Sequence, residues 1–416
     1  MKTIVVLITC DTKPEEAAYI KRRIGQMGLR AVIADTGTKG EPGIEPDISR
    51  EGLAALGGMD FSEIAEAGSR GAAVGKMAEA LVPALAAMHE EGRLDGVLCV
   101  GGAGAFIGAP AMQALPLGVP KVIVSPLASG PRQFAPFVGS SDVMAMHSVI
   151  DIAGMNDISR RVYDNAAAAV CGMALGQERF DRVEDGEEYI GVTMMGTTTA
   201  GAMAAVRVLE GAGYRCVIFH ASGVGGASME KLARENKLAG VLEFSLAEMM
   251  GTHVGGFTKT VPERLSVAGL CGIPQVVTTG AIDFINLFPH ECANYAGRII
   301  YNHNPQTPLM RATKEEMMTV AVKIAEQLNK GKGRTAVLAP LRGFSDPNRE
   351  GGLFWDPESD AAFREKLKAE LNAGINYLEI DAWINDRAFG ETAANELITL
   401  LEQRGTENGR DETGGE

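Results

Sequence analysis

Ile20-Lys21-Arg22-Arg23-Ile24-Gly25-Gln26-Met27-Gly28-Leu29-Arg30-Ala31-Val32-Ile33-Ala34 reads as an amphipathic helix stopped by Gly28 and followed by an apolar strand. The same order returns at Ala205-Val206-Arg207-Val208-Leu209-Glu210-Gly211-Ala212-Gly213-Tyr214-Arg215-Cys216-Val217-Ile218-Phe219. Working outward, Leu94-Asp95-Gly96-Val97-Leu98 is echoed by Leu238-Ala239-Gly240-Val241-Leu242. Gly118-Val119-Pro120-Lys121-Val122-Ile123-Val124 is echoed by Gly272-Ile273-Pro274-Gln275-Val276-Val277-Thr278. A glycine past a helix end followed by a β-branched apolar run marks a helix-to-strand turn. The ordered echo predicts two α/β units, each a doubly wound parallel sheet of Rossmann-like type, facing each other across a cleft. In such sheets ligands sit beyond the carboxyl ends of the strands. Candidate functional residues are therefore those that follow each strand, in both halves.

A chain of 416 residues exceeds one ordinary core. The boundaries expected are an N-terminal unit at 1–180, a C-terminal unit at 189–405 and a polar, disordered tail at 406–416. The stretch 177–188 is charged and aperiodic, which places the join. With 46% hydrophobic and 22% charged residues the composition is that of a globular protein. Apolar runs fall far short of the roughly 20 residues of a membrane span, and no signal peptide is read at the N-terminus. The six cysteines are dispersed, which predicts reduced thiols and a cytoplasmic location. A net charge of −14 argues against nucleic acid as a partner.

Strands are expected at Thr3–Thr9, Leu29–Asp35, Gly96–Val100 and Val119–Ser125 in the first half. Residues 37–68 read as a long functional loop with short helical pieces, and Ile150–Ala174 as a helix. In the second half strands are expected at Tyr189–Met194, Tyr214–Phe219, Gly240–Phe244, Gln275–Thr278, Thr335–Pro340 and Asn376–Ile380. The segment Asp283–Pro308 reads as irregular.

Four strand-to-helix turns carry the chemistry. In Cys10-Asp11-Thr12-Lys13-Pro14-Glu15, Asp11, Thr12 and Lys13 could hold a ribose or phosphate at a helix start, where amides and dipole favour anions. The alternative is a capping box of Thr12 with Glu15. In Gly101-Gly102-Ala103-Gly104-Ala105, the glycines Gly101, Gly102 and Gly104 allow a backbone cradle for an anion, or simply make a tight turn. Met195-Gly196-Thr197-Thr198-Thr199 offers more hydroxyls than one cap needs, so Thr197, Thr198 and Thr199 are candidates for a carboxylate or other anion. His220-Ala221-Ser222-Gly223-Val224-Gly225-Gly226 places an imidazole at a strand end, with Gly225 and Gly226 beside it. Further along, Glu243 and His303 are acid–base candidates with His220, and Arg311 is a candidate carboxylate anchor. The spacing of Glu243, His253, His290, Glu291 and His303 fits no metal site.

Taken together, Cys10–Lys13, Gly101–Gly104, Gly118–Val122, Ala128-Ser129-Gly130, Asp151-Ile152-Ala153-Gly154-Met155-Asn156 with Ser159-Arg160-Arg161, His220–Gly226, His303-Asn304-Pro305-Gln306 and Pro340-Leu341-Arg342-Gly343 form an ordered series. It resembles the ATP-binding domain family of the plant tobamovirus-replication inhibitor, over about Lys2 to Arg404. The resemblance implies ATP with magnesium at Asp11, Thr12, Lys13, the Gly101–Gly104 loop, Ser129 and Gly130. It also implies a homodimer or higher homo-oligomer. Ala103, Ala105 and Phe106 stand where the family carries hydroxyls and a glycine, and Pro131 where it carries an aspartate. The lost hydroxyls predict weaker ATP binding.

Three functions stay open at this point, because fold alone does not separate them. The first is a small-molecule-binding protein that holds a nucleotide or a small anion. The second is a nucleotide-independent hydrolase or lyase on a small oxo-acid, with His220, Glu243 or His303 as acid or base and Arg311 as anchor. The third is a non-catalytic interaction module.

Overall fold

A computed structural model describes residues 1–129, 134–177 and 189–411, and the side chains of 405–411 are not part of that description. The chain forms two compact units, Met1–Asp185 and Gly186–Glu416. Gly130, Pro131 and all but the first residue of the join expected at 177–188 lie outside the described residues.

The N-terminal unit is built on β1 (Thr3–Ile8), β2 (Arg30–Asp35), β3 (Gly96–Val100), β4 (Lys121–Ser125) and β5 (Met144–His147). All pair in parallel in the order β2-β1-β3-β4-β5. The interior strand β1 alternates between two cores. Val5 and Leu7 enter one with Met77, Leu81 and Met112, while Ile4, Val6 and Ile8 enter the other with Ile20, Ile24 and Tyr163. A strand covered on both faces is apolar throughout, which is why Thr3–Ile8 lacks polar alternation. The helix Arg70–Glu90 is long and apolar enough for a membrane span by composition. Its Ala73, Met77, Leu81, Leu85 and Met88 are instead buried in this core.

The C-terminal unit carries β6 (Tyr189–Met194), β7 (Arg215–His220), β8 (Leu238–Glu243) and β9 (Gln275–Thr278). A separate antiparallel sheet follows, made of β10 (Phe284–Asn286), β11 (Ile300–Asn304) and β12 (Thr307–Arg311) in the order β10-β12-β11. With β13 (Thr335–Pro340) and β14 (Asn376–Ile380) the main sheet runs β14-β13-β9-β8-β6-β7, all parallel.

Counted within each unit, both sheets begin with the order 2-1-3-4. The echo in sequence is thus an echo in topology. Gly28 and Gly213 both adopt left-handed backbone, at φ 81° and 94°, where the first helix of each unit hands over to its second strand. Gly96 pairs with Ile4 and Gly240 with Ile190, each in the third strand beside the first. A Cβ on either glycine would lie 3.0 to 3.1 Å from the Cδ1 of that isoleucine. In both units the absent side chain makes room for the same neighbour.

Three expectations change. Asp283–Pro308 holds most of the antiparallel sheet rather than an irregular segment, because its strands are only three to five residues long and leave little periodicity. The helix expected over Ile150–Ala174 spans Asp157–Gly176, since Asn156 caps it with its side chain in a reciprocal box with Ser159. The last helix, Arg387–Asp411, continues into the tail expected to be disordered from residue 406. Once nucleated, each added helical residue gains a hydrogen bond, so a polar end can extend a packed helix. Residues 412–416 lie outside the described residues.

Candidate functional site

In the N-terminal unit the strand order reverses direction at β1, and the switch point lies between β1 and β3. The turns that follow these two strands abut: a Cβ on Gly104 would sit 3.6 Å from Thr9 Cγ2. The helix after β1 starts at Pro14 with Lys13 as its cap residue and no side-chain cap. The Thr12–Glu15 box is therefore not formed. Thr12 Oγ1 instead shares a 2.8 Å hydrogen bond with Thr9 Oγ1 and accepts from Lys13 Nζ at 3.3 Å. The helix after β3, Ala103–Ala114, starts at Gly102, again without a side-chain cap. A Cβ on Gly102 would meet nothing within 4 Å. Two helix starts without a side-chain cap thus leave first-turn amides available, the first helix lacking one at Pro14.

The other N-terminal candidates spread around this point. Asp11 lies against Gly37 and Gly40 of the loop after β2, with Oδ1 buried and unpartnered among the described residues. Gly101 is buried, and a Cβ there would crowd Gly104 at 3.2 Å, so this glycine is needed by the turn itself. Ser129 is exposed after β4, donating weakly to Pro126 O at 3.5 Å. Ala103 is exposed on the first helical turn and Ala105 is buried. Phe106 stacks on Phe137 with centroids 4.9 Å apart, so its ring is spent on the core.

Sequence reasoning missed Asp35 and Arg50. Asp35 ends β2 and accepts the backbone amides of Cys10 and Gly37, both at 2.9 Å. Its other oxygen faces Arg50 Nε at 3.3 Å, and Arg50 lies over the ring of Phe61. Burial, with Asp35 and Asp11 beside it, pushes the Cys10 thiol up to about 12, so it stays protonated. The only cue was an aspartate ending an apolar strand.

In the C-terminal unit the switch point lies between β6 and β8. Thr198 and Thr199 turn their hydroxyls onto Met195 O, at 3.2 and 3.1 Å. Thr197 is 1% exposed, and its Oγ1 has no partner among the described residues. Its carbonyl accepts from Asp346 N and Asn385 Nδ2, both at 2.9 Å. His303, on the β11–β12 hairpin, comes to the same turn. Its Nε2 is 3.1 Å from where Gly196 would carry a Cβ. His220 is exposed at the end of the edge strand β7.

The remaining candidates are occupied by the protein. A Cβ on Gly225 would collide with His220 O, and one on Gly226 with Glu248 Oε2 and Arg264 Nε. These glycines give room to the chain's own atoms. Glu243 is 1% exposed and grips Arg264, which Glu248 and Glu230 also contact. Glu248 accepts the amides of Gly223 and Gly226 at 2.6 and 3.0 Å, and Glu230 those of Leu265 and Val267 at 2.5 and 3.2 Å. Arg311 is 6% exposed, donating to Asp360 Oδ1 at 2.7 Å and to Asp283 O at 2.8 Å. Glu243 presents no free group to a ligand, and of the Arg311 guanidinium only the buried Nε stands without a partner among the described residues. The Pro340–Gly343 motif leads into this second network, where Asn348 bonds Phe344 N, Phe354 O and Asp360.

Two domain descriptions of the Uncharacterised protein family (UPF0261) match the chain, the N-terminal one over residues 2–179 and the C-terminal one over 187–401. A UPF0261 protein of Clostridium tetani is 37% identical over 406 residues, covering 97% of this chain and 100% of the relative. One from Rhizobium meliloti is 38% identical over 399 residues, covering 94% and 98%. The ToMV resistance protein Tm-1(GCR237) of Solanum lycopersicum is 34% identical over 339 residues, covering 80% of this chain and 45% of the plant protein. The chain thus spans about half the length of that plant relative.

Proposed function

The chain belongs to the uncharacterised protein family UPF0261, and from that premise we propose a small-molecule-binding protein that holds the phosphate end of a nucleotide at the β1 and β3 turns of its N-terminal unit. The observation that carries this reading is the pair of abutting, uncapped helix starts at Lys13 and Gly102. First-turn amides, the positive ends of the two helices, Thr12 and Lys13 are the donor set a phosphate needs. ATP is the nucleotide implied by the resemblance to the plant inhibitor's family, and a magnesium ion would come with it through water and phosphate oxygens. A cytoplasmic homo-oligomer is part of the same proposal; the described cysteines all stand as free thiols, which suits a reducing compartment.

Titration calorimetry of the full chain with ATP–magnesium tests this. Saturable binding is expected, weakened about tenfold or more in Lys13→Ala through loss of a charge-assisted contact. Absence of saturable heat with the unmodified protein sinks the proposal. A hydrolase or lyase built on Glu243 and Arg311 finds no support in the geometry, since both are committed to buried ion pairs.

A further inference from the structure

We infer that the N-terminal unit carries a second site, for a free α-amino acid with an apolar side chain, in the hollow beneath the loop that follows β2. It is separate from the nucleotide site proposed above and does not depend on it.

Backbone bonds hold that loop in place. Ile48 N donates to Ile33 O and Asp35 N to Ile48 O, each at 3.0 Å, and Gly43 N reaches Cys10 O at 2.8 Å. They fix Arg50, two residues past Ile48, against Asp35. A hollow of about 510 Å³ lies there, lined among others by Asp35, Lys39, Glu41, Arg50, Glu51 and Phe61. That volume falls within the range of small-ligand pockets. The Arg50 side chain is 7% exposed, and Asp35 meets it at Nε, 3.3 Å away. The Phe61 ring lies under the guanidinium, its centroid 5.8 Å from the central carbon. The terminal nitrogens Nη1 and Nη2 have no hydrogen-bond partner among the described residues, yet they are not sealed from solvent. They open on the hollow that Arg50 lines. A guanidinium buried to this degree is costly unless something takes its N–H groups.

The charges around the hollow select the ligand class. Asp35 is spent on Arg50 and on the amides of Cys10 and Gly37. Two cations remain, Arg50 and Lys39, with two exposed carboxylates, Glu41 and Glu51. A polyphosphate would meet both glutamates, and a simple amine would meet a buried guanidinium. A zwitterion answers both signs. Its carboxylate takes the free Arg50 N–H groups as a fork, with Lys39 beside it, and its ammonium faces Glu41 and Glu51. Pro42, Pro46 and Ala65 line the same hollow and give the side chain an apolar wall.

The test titrates the full chain calorimetrically with L-leucine, its deaminated analogue 4-methylpentanoate, isopentylamine and inorganic phosphate. Leucine is expected to bind saturably and phosphate not to. The acid and the amine should each bind about tenfold more weakly, through loss of a charge-assisted contact. Arg50→Lys keeps a cation for Asp35 but loses the fork, and should weaken leucine about tenfold. Glu41→Gln combined with Glu51→Gln should weaken leucine about threefold to fivefold. The same double variant should bind 4-methylpentanoate no more weakly and keep its unfolding midpoint. That contrast separates a lost ammonium contact from a damaged fold. Lys13→Ala should weaken ATP and leave leucine unchanged, so either site can fail without the other. No saturable leucine binding overturns the inference. So does 4-methylpentanoate binding as tightly as leucine, or displacement of leucine by saturating ATP, which would give the hollow to the nucleotide.

Discussion

Arg264 and Glu243 form a two-point ion pair sealed from solvent: Nη2 donates to Oε2 at 2.6 Å, Nη1 meets Oε1, and the side chains are 2% and 1% exposed. Glu248 and Glu230 close on the same guanidinium, so one buried cation answers three buried carboxylates. Backbone amides and the Thr193 hydroxyl take up the spare oxygens. Such a cluster adds little net stability when whole, yet removing one partner strands a buried charge. Arg264→Met should therefore cost about 3–5 kcal/mol in urea unfolding followed by circular dichroism. A loss below about 1 kcal/mol would mean that water reaches the cluster.

The same cluster gives the protein a pH dependence. Burial pushes Glu230 from 4.5 up to about 7; Arg264 opposes the shift and Glu243 adds to it. Burial likewise raises Asp360 from 3.8 to about 7, with Arg311 opposing and Asp283 reinforcing. A carboxyl whose folded pKa is raised keeps its proton while the unfolded chain has lost it. Stability then falls as pH climbs from the ordinary carboxyl range to about 7 and levels off above. Thermal midpoints measured from pH 5 to 8 should decline, and Glu230→Gln should flatten the decline. An unchanged slope in the variant would show that Glu230 is not the titrating group.

Gly102 and Gly226 should respond oppositely to alanine. A Cβ at Gly226 runs into Glu248 and Arg264, and overpacking of that kind costs about 1–3 kcal/mol or more. A Cβ at Gly102 meets nothing, so the fold should hold within about 0.5 kcal/mol. If a nucleotide approaches this backbone closely, Gly102→Ala still weakens ATP several-fold. Unaltered ATP affinity in a stable Gly102→Ala protein would remove this turn from the nucleotide site.

Of the three departures from the inhibitor family's loop, only Ala103 is open to restoration. Phe106→Thr gives up the stack on Phe137 and should cost about 2–4 kcal/mol in denaturant unfolding. Ala103→Ser, on an exposed first-turn position, should leave stability intact and tighten ATP–magnesium by a few-fold if the missing hydroxyl matters. No gain in affinity would show that backbone amides do the binding alone.

What was legible in the sequence was whatever is local. The helix-glycine-strand echo is a short-range pattern, and it led to two parallel sheets of matching order. The strand ends named as candidates do lie at the carboxyl edge. Arg264 escaped notice because its partners Glu230, Glu243 and Glu248 lie 34, 21 and 16 residues away, with no helical or strand period joining them. Glu243 and Arg311 were read as free chemistry for the same reason: a charge at a strand end looks functional until its counter-ion is known. Asp35 and Arg50 likewise needed the fold to meet.

The placement of β1 between β2 and β3 also orders the events of synthesis. β1 and β2 lie close in the chain and can zip together early, but β3 begins only at Gly96. Closing that longer loop costs more entropy before any contact rewards it. The pair of β1 and β3 turns therefore exists only after about a hundred residues have left the ribosome, and the proposed nucleotide would have no shorter nascent chain to hold. A truncated chain ending before β3 should refold no better with ATP than without it, whereas the complete protein should gain.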